Sequence, residues 1–184
     1  MIGAGWRCFH NAEGEGLAAD GSGYSCNLEV AIAGFERAVE DVDAVVRHVR
    51  ERPDVDQDQL AVGGVSRGGI LAIAYAGMRP NTFRGAVNFN GGWLGKGCPS
   101  HETVNPLIFE RGARSGISTL WLHGSYDQYY RIGHCKDNFE RFLSSGGLGK
   151  FVAAPMGHAL MFKPTLWRDH LDQYLADITI PRNF

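Results

Sequence analysis

Apolar residues recur through residues 29–51 at steps of three and four: Ile32, Phe35, Val39, Val42, Val46 and Val49, with Glu36, Arg37, Glu40, Asp43 and Arg47 on the opposite side. That period predicts an amphipathic helix, weakened at Gly34 and ended by Pro53-Asp54. Val55-Asp56-Gln57-Asp58 then turns the chain into a strand over 59–63, built on Leu60-Ala61-Val62. The run Ile70–Ala76 is apolar nearly all round and predicts a buried helix from Ser66 to about Met78. Gly85–Asn90 predicts a second strand, 94–116 an irregular stretch with a short helix near 105–113, and Ser118–His123 a third strand. A helix follows over 131–145, with Phe139, Phe142 and Leu143 inward, and stops at Gly146-Gly147. Phe151–Ala154 predicts a fourth strand. The last helix is expected from about Pro164, a favourable first-turn residue, with Leu166, Trp167, Leu171, Tyr174 and Leu175 on one side. Strands alternating with helices imply an α/β fold: a mostly parallel sheet of about four strands, flanked by helices. Residues 1–28 carry six glycines and no sustained period, so they are expected to form a glycine-rich loop segment ahead of a domain over 29–184.

Composition narrows the function classes. The chain has 184 residues, 44% of them hydrophobic, and a formal charge of −2, which suits one domain with a full core. The charge balance gives no nucleic-acid footprint, and no apolar run is long enough to span a bilayer, so neither partner is expected. Met1–Arg7 lacks the charged-then-apolar layout of a secretory signal, which makes a cytoplasmic location the default. The cysteines, Cys8, Cys26, Cys98 and Cys135, include no C-x-x-C pair. They are either free thiols or one or two disulfides, with Cys8–Cys26 and Cys98–Cys135 the natural pairs. Pairing would point to an oxidising compartment, periplasmic or extracellular. Gly3-Ala4-Gly5 begins a dinucleotide fingerprint, but Cys8 stands at its third glycine and removes that reading.

The chemistry concentrates at Gly64-Val65-Ser66-Arg67-Gly68-Gly69. Between a strand and a helix, this pattern is a nucleophile elbow: Gly64 and Gly68 are expected to relieve collisions, Ser66 points its hydroxyl outward, and the Arg67 N–H faces the same space as an oxyanion donor. Two further groups follow strands, Asp127 in a Gly124-x-x-Asp127 turn and His158 in Met156-Gly157-His158-Ala159. In a parallel sheet the carboxyl ends of strands line the crevice where ligands bind. A serine needs a base in contact, a neutral histidine takes and returns its proton, and an aspartate fixes the imidazole tautomer. Ser66, His158 and Asp127 are therefore the candidate nucleophile, base and orienting acid. His123 is expected to pack at its strand end, while His134, Asp137 and Glu140 are expected to face solvent. No metal-ligand spacing is present. Trp93, Tyr126, Tyr129 and Tyr130 lie in strand-end loops, where they either line an apolar substrate pocket or pack beneath the loops.

With these motifs in place, the sequence resembles the α/β hydrolases over roughly residues 29–178. More narrowly it is similar to the dienelactone hydrolase-like and prolyl oligopeptidase-like (S9-type) branch. The likeness rests on Ala38-Val39-Glu40-Asp41-Val42-Asp43-Ala44-Val45, Val65-Ser66-Arg67-Gly68-Gly69 and Leu122-His123-Gly124-Ser125-Tyr126-Asp127. The resemblance implies an acyl-enzyme mechanism on a small-molecule ester, lactone or peptide, with no cofactor. The family places several strands and a His-Gly-Gly-like oxyanion loop before the helix that here begins at 29. The nearest equivalent here is Gly14-Glu15-Gly16 through Gly21-Ser22-Gly23. The expectation is a C-terminal half of the fold, its first strand left with an open edge. An upstream half, residues 1–28 or a second subunit would cover that edge. The rival to an active hydrolase is a catalytically weak or inactive truncated form that serves as a binding or interaction module.

Overall fold

The computed structural model describes residues 24–179. Helix α1, Leu28–Arg50, starts where the Asn27 side chain accepts from the Val30 N–H at 3.1 Å, which satisfies one of the free donors of the first turn. Ala31, Phe35, Ala38 and Val39 form its buried stripe. Strand β1 is Ala61–Val65, two residues later than the sequence predicts. The cause is local: Asp56 accepts from the Asp58 N–H and closes a 3₁₀ turn over Gln57–Gln59, which consumes the start of the expected strand. Helix α2 is Arg67–Met78 and strand β2 Gly85–Phe89. Helix α3 is His101–Arg111, beginning earlier than the 105–113 expected, because its first turn, His101-Glu102-Thr103, is polar and carries no periodic signal. Strand β3 is Ser118–Gly124, helix α4 Ile132–Ser144, and strand β4 Leu148–Ala154. Gly149 masked the first half of β4 in the sequence; a Cβ there would fall 2.2 Å from Thr119 Oγ1, so the glycine belongs to the strand pairing. Pro164–Leu166 is a 3₁₀ turn rather than the start of the last helix, and α5 runs Arg168–Ile178. Trp167 breaks the two apart by turning inward, its ring 5.0 Å from Phe89 and its indole N–H bonded to the Leu160 carbonyl.

The four strands form one parallel sheet in the order β1-β2-β3-β4, with Val62 opposite Ala86, Val87 opposite Leu120, and Trp121 opposite Phe151. Among the described residues, β1 is an edge strand. Alternate side chains enter opposite layers, as strand geometry requires. Ala86 and Trp121 face the larger layer, with Phe35, Ile70, Ile73, Phe109 and Phe142 from the helices. Val87, Phe89, Leu120 and Leu122 face the smaller one, with Leu160, Trp167, Leu171 and Tyr174. Helices cover both faces, as expected for the α/β class. Leu143 and Leu175, expected inward, are instead exposed. Asp43, expected outward, accepts from Tyr75 Oη at 2.7 Å and from Arg79 Nη2 at 2.6 Å, and the Arg79 guanidinium holds its carboxyl below the usual range. Among the described residues, no helix is long and apolar enough to cross a membrane.

The cysteines pair otherwise than the sequence suggests. Cys26 is joined to Cys98, with Cα atoms 5.1 Å apart across a separation of 72 residues, and Cys135 is a buried free thiol. Spacing favours neighbours in the chain; the fold instead lays the segment before α1 across the loop before α3, where the Ser100 hydroxyl also donates to the Cys26 carbonyl. Cys8 and the glycine-rich stretch up to residue 23 lie outside the described residues.

Two measurements check these anchors. Tyr174 Oη accepts from the Ala86 N–H at 2.9 Å and donates to the Ser118 carbonyl at 2.6 Å, which fixes α5 beneath β2 and β3. Tyr174→Phe leaves a buried N–H unpaired and is expected to lower unfolding free energy in urea by about 1–3 kcal/mol. Reduction of Cys26–Cys98 is expected to lower it by about 2–4 kcal/mol, read in the same titration with and without reductant.

Candidate active site

Ser66 stands at the corner between β1 and α2, with φ 57° and ψ −125°. A non-glycine residue holds this conformation only where its surroundings over-determine it. Here the Ser66 N–H donates to the Phe89 carbonyl at 2.9 Å, and its own carbonyl accepts from Gly69 at 2.9 Å and Gly92 at 3.3 Å. The glycines that make room are Gly64 and Gly69, not Gly64 and Gly68. A Cβ on Gly64 would lie 2.1 Å from the Gly68 carbonyl oxygen and one on Gly69 2.3 Å from Asn88 Oδ1, whereas a Cβ on Gly68 would meet nothing within 4 Å. Arg67 is the first residue of α2, so its N–H has no carbonyl one turn back to bond and carries the partial positive charge of the helix start. Its side chain is locked: Nε donates to the Trp93 carbonyl at 2.8 Å, and the guanidinium lies 3.3 Å from the centre of the Tyr24 ring and 4.1 Å from that of Trp93.

Asp127 follows β3 and His158 follows β4. They meet: His158 Nδ1 donates to Asp127 Oδ2 at 2.7 Å. The carboxylate is 1% exposed, and its other oxygen accepts from the N–H groups of Tyr129 at 2.7 Å and Tyr130 at 3.1 Å. With Nδ1–H given to Asp127, Nε2 is the nitrogen left to accept a proton. Ser66 is not hydrogen-bonded to His158. Its hydroxyl instead lies 3.4 Å from Tyr130 Oη.

Asn90 ties the strand ends together, and it went unnoticed in the sequence. It is fully buried at φ 47°; its Oδ1 accepts from the Gly124 N–H at 2.6 Å, and its Nδ2 donates to the His158 carbonyl at 2.8 Å. The available signal was an asparagine at a strand end before Gly91-Gly92, since asparagine tolerates positive φ better than most residues. Gly124 completes the clamp: a Cβ there would fall 2.3 Å from the Met156 carbonyl oxygen.

The expected pocket aromatics separate. Trp93 packs into the core against Phe35, with its indole N–H bonded to the Ala31 carbonyl, and so does not line the site. Tyr126 is exposed on the loop that carries Asp127. Tyr130 is buried against Ser66, and exposed Tyr129 meets the His158 ring edge-on at 4.8 Å. His123 packs as expected, stacked on Phe151 at 5.0 Å; burial pushes its pKa down to about 3, so it stays neutral. Asp137 and Glu140 face solvent, but His134 does not. It accepts from Asn105 Nδ2 at 3.1 Å beside His101, and burial holds it below the usual histidine range. His101 and His134 help line a separate polar crevice of about 680 Å³ that none of the expected catalytic residues enters.

Asn90→Ala is expected to strand the Gly124 N–H and free the His158 loop. Differential scanning calorimetry should show a loss of about 1–3 kcal/mol, with the melting temperature lowered to match.

A family model described as serine aminopeptidase, S33, matches residues 16–96, the stretch that includes the elbow. No curated protein matches the sequence. Among solved structures, the chain is similar to esterase PE8, with a TM-score of 0.63, 19% identity, and 85% of this chain covering 71% of that one. SOBER1 from Arabidopsis thaliana aligns with a TM-score of 0.56 at 16% identity, over 84% of this chain and 67% of that one. The acylaminoacyl peptidase of Pyrococcus horikoshii aligns with a TM-score of 0.59 at 12% identity, over 85% of this chain but 30% of its own. Parallel sheet, strand–serine–helix corner and these neighbours agree: the chain has the fold of the α/β hydrolases.

Proposed function

We propose that the protein is a serine hydrolase acting on ester, lactone or peptide-type acyl bonds through Ser66, His158 and Asp127. The observation that carries this reading is the 2.7 Å bond between His158 Nδ1 and a buried Asp127 carboxylate, at the same carboxyl-terminal end of the sheet as a serine in an elbow conformation. His158 Nε2 takes the Ser66 proton as Oγ attacks the acyl carbon. The oxyanion that forms is met by the Arg67 N–H at the start of α2, a donor fixed before reaction begins. His158 returns the proton to the leaving group, and water, activated by the same nitrogen, cleaves the acyl-enzyme. These steps need only protein groups and water. Exposed Tyr129 borders His158 and supplies an apolar contact for the acyl or leaving group, with Tyr126 exposed on the same loop.

The rival reading is a binding module with a silent triad. What favours it is the contact of Ser66 with Tyr130 rather than His158. A fluorophosphonate probe and a panel of short-chain nitrophenyl esters separate the two. Wild type is expected to label and turn over, and Ser66→Ala to do neither. Asp127→Asn is expected to lower turnover by up to about 10⁴-fold, since the imidazole is then held in the wrong tautomer. Equal labelling of wild type and Ser66→Ala removes Ser66 from the mechanism, and wild-type turnover no better than that of Ser66→Ala favours the binding module.

A further inference from the structure

Tyr130 touches all three residues of the proposed triad. Its N–H donates to Asp127 Oδ1 at 3.1 Å, its ring centre lies 5.7 Å from that of His158, and its hydroxyl lies 3.4 Å from Ser66 Oγ. The ring is buried, in space that exists only because residue 92 is glycine: a Cβ there would fall 2.3 Å from its Cε1. A phenol has one hydrogen, and here it is given to the Gly92 carbonyl at 2.7 Å. The lone pairs of the phenolic oxygen are thus left for Ser66, whose hydroxyl is the donor of the pair. Burial pushes the phenol up to about 12, so it stays protonated and accepts a hydrogen bond without acting as a base. His158 Nε2 needs the same serine hydrogen for catalysis.

We propose that Tyr130 is a positioning residue that parks the Ser66 hydroxyl away from His158 until an acyl substrate enters and turns it toward the imidazole. This rests on the assignment of Ser66, His158 and Asp127 above. The bond is long for O–H···O, so the hold is weak and easily exchanged. It keeps the serine unactivated in the free enzyme. A residue that merely filled space would have no influence on which acceptor the serine chooses.

Tyr130→Phe keeps the ring and removes the acceptor. Fluorophosphonate labelling of Ser66 is expected to become about two- to threefold faster, the low end of what one neutral hydrogen bond is worth. The second readout is spectroscopic and does not depend on activity: the downfield proton resonance of His158 Nδ1–H. In the wild-type background, Ser66→Ala should leave it in place, because the parked serine does not touch the imidazole. In the Tyr130→Phe background, Ser66→Ala should move it. Gly92→Ala, whose Cβ would crowd the Tyr130 ring, is the second route to an unparked serine and should show the same dependence on Ser66. Labelling that is unchanged or slower in Tyr130→Phe overturns the proposal, as does a resonance already moved by Ser66→Ala in wild type. Equal labelling of wild type and Ser66→Ala would instead remove the serine mechanism, and the resonance comparison would still decide whether Tyr130 holds the hydroxyl.

Discussion

A contact that one methyl group would forbid sets the geometry of the whole rim. The first turn of α2 folds straight back onto β1, close enough that a Cβ on Gly64 would overlap the Gly68 carbonyl. Gly69 permits the same approach on the side of β2. Because the helix sits so close, Ser66 is forced into positive φ, its hydroxyl stands clear of the sheet, and the Arg67 N–H is left free beside it. Backbone strain, the outward hydroxyl and the free N–H beside it are three results of one steric fact. The Tyr24 and Trp93 rings on either side of the Arg67 side chain then keep the corner from relaxing.

The second half of the site is held by buried polar atoms rather than by packing. Asp127 is served by two backbone N–H groups, and Asn90 connects the ends of β2, β3 and the loop after β4. In a low-dielectric interior such bonds are costly to leave unmade, so a satisfied network specifies one arrangement of loops. Loops that follow separate strands are thereby fixed relative to one another, and the bond between His158 and Asp127 is held at one length.

How much of this was legible in the residues follows from how local each signal is. The periodic stripe of α1 and the apolar runs of α2 and β3 declared their elements, since burial patterns act within a few residues. The strand–Ser66–helix order and the positions of Asp127 and His158 after strands were legible for the same reason. What escaped depends on atoms distant in the chain. Asp56 turning back on Asp58 shifted the start of β1, and Trp167 turning in toward Phe89 split the last helix. Gly149 lies ahead of the apolar run that marks β4 in the sequence, yet it is a strand residue pressed against Thr119. Asn90 looked like the end of a strand and is a clamp. Trp93 and Tyr130 both read as pocket aromatics, and only the packing around Phe35 and Gly92 separates a core residue from one that touches Ser66.

The disulfide gives the molecule an unequal covalent topology. The bond from Cys26 to Cys98 closes a ring that contains α1, β1, α2, β2 and therefore Ser66, while Asp127 and His158 lie on the tail beyond it. A single protease cut inside the ring leaves both pieces on one molecule, separable on a gel only after reduction; a cut between Cys98 and Asp127 leaves Asp127 and His158 with no covalent link to Ser66. Ser66 is thus carried on a closed loop of chain and Asp127 and His158 on an open one, and beyond Cys98 the two parts are held in register by the backbone, hydrogen bonds and packing.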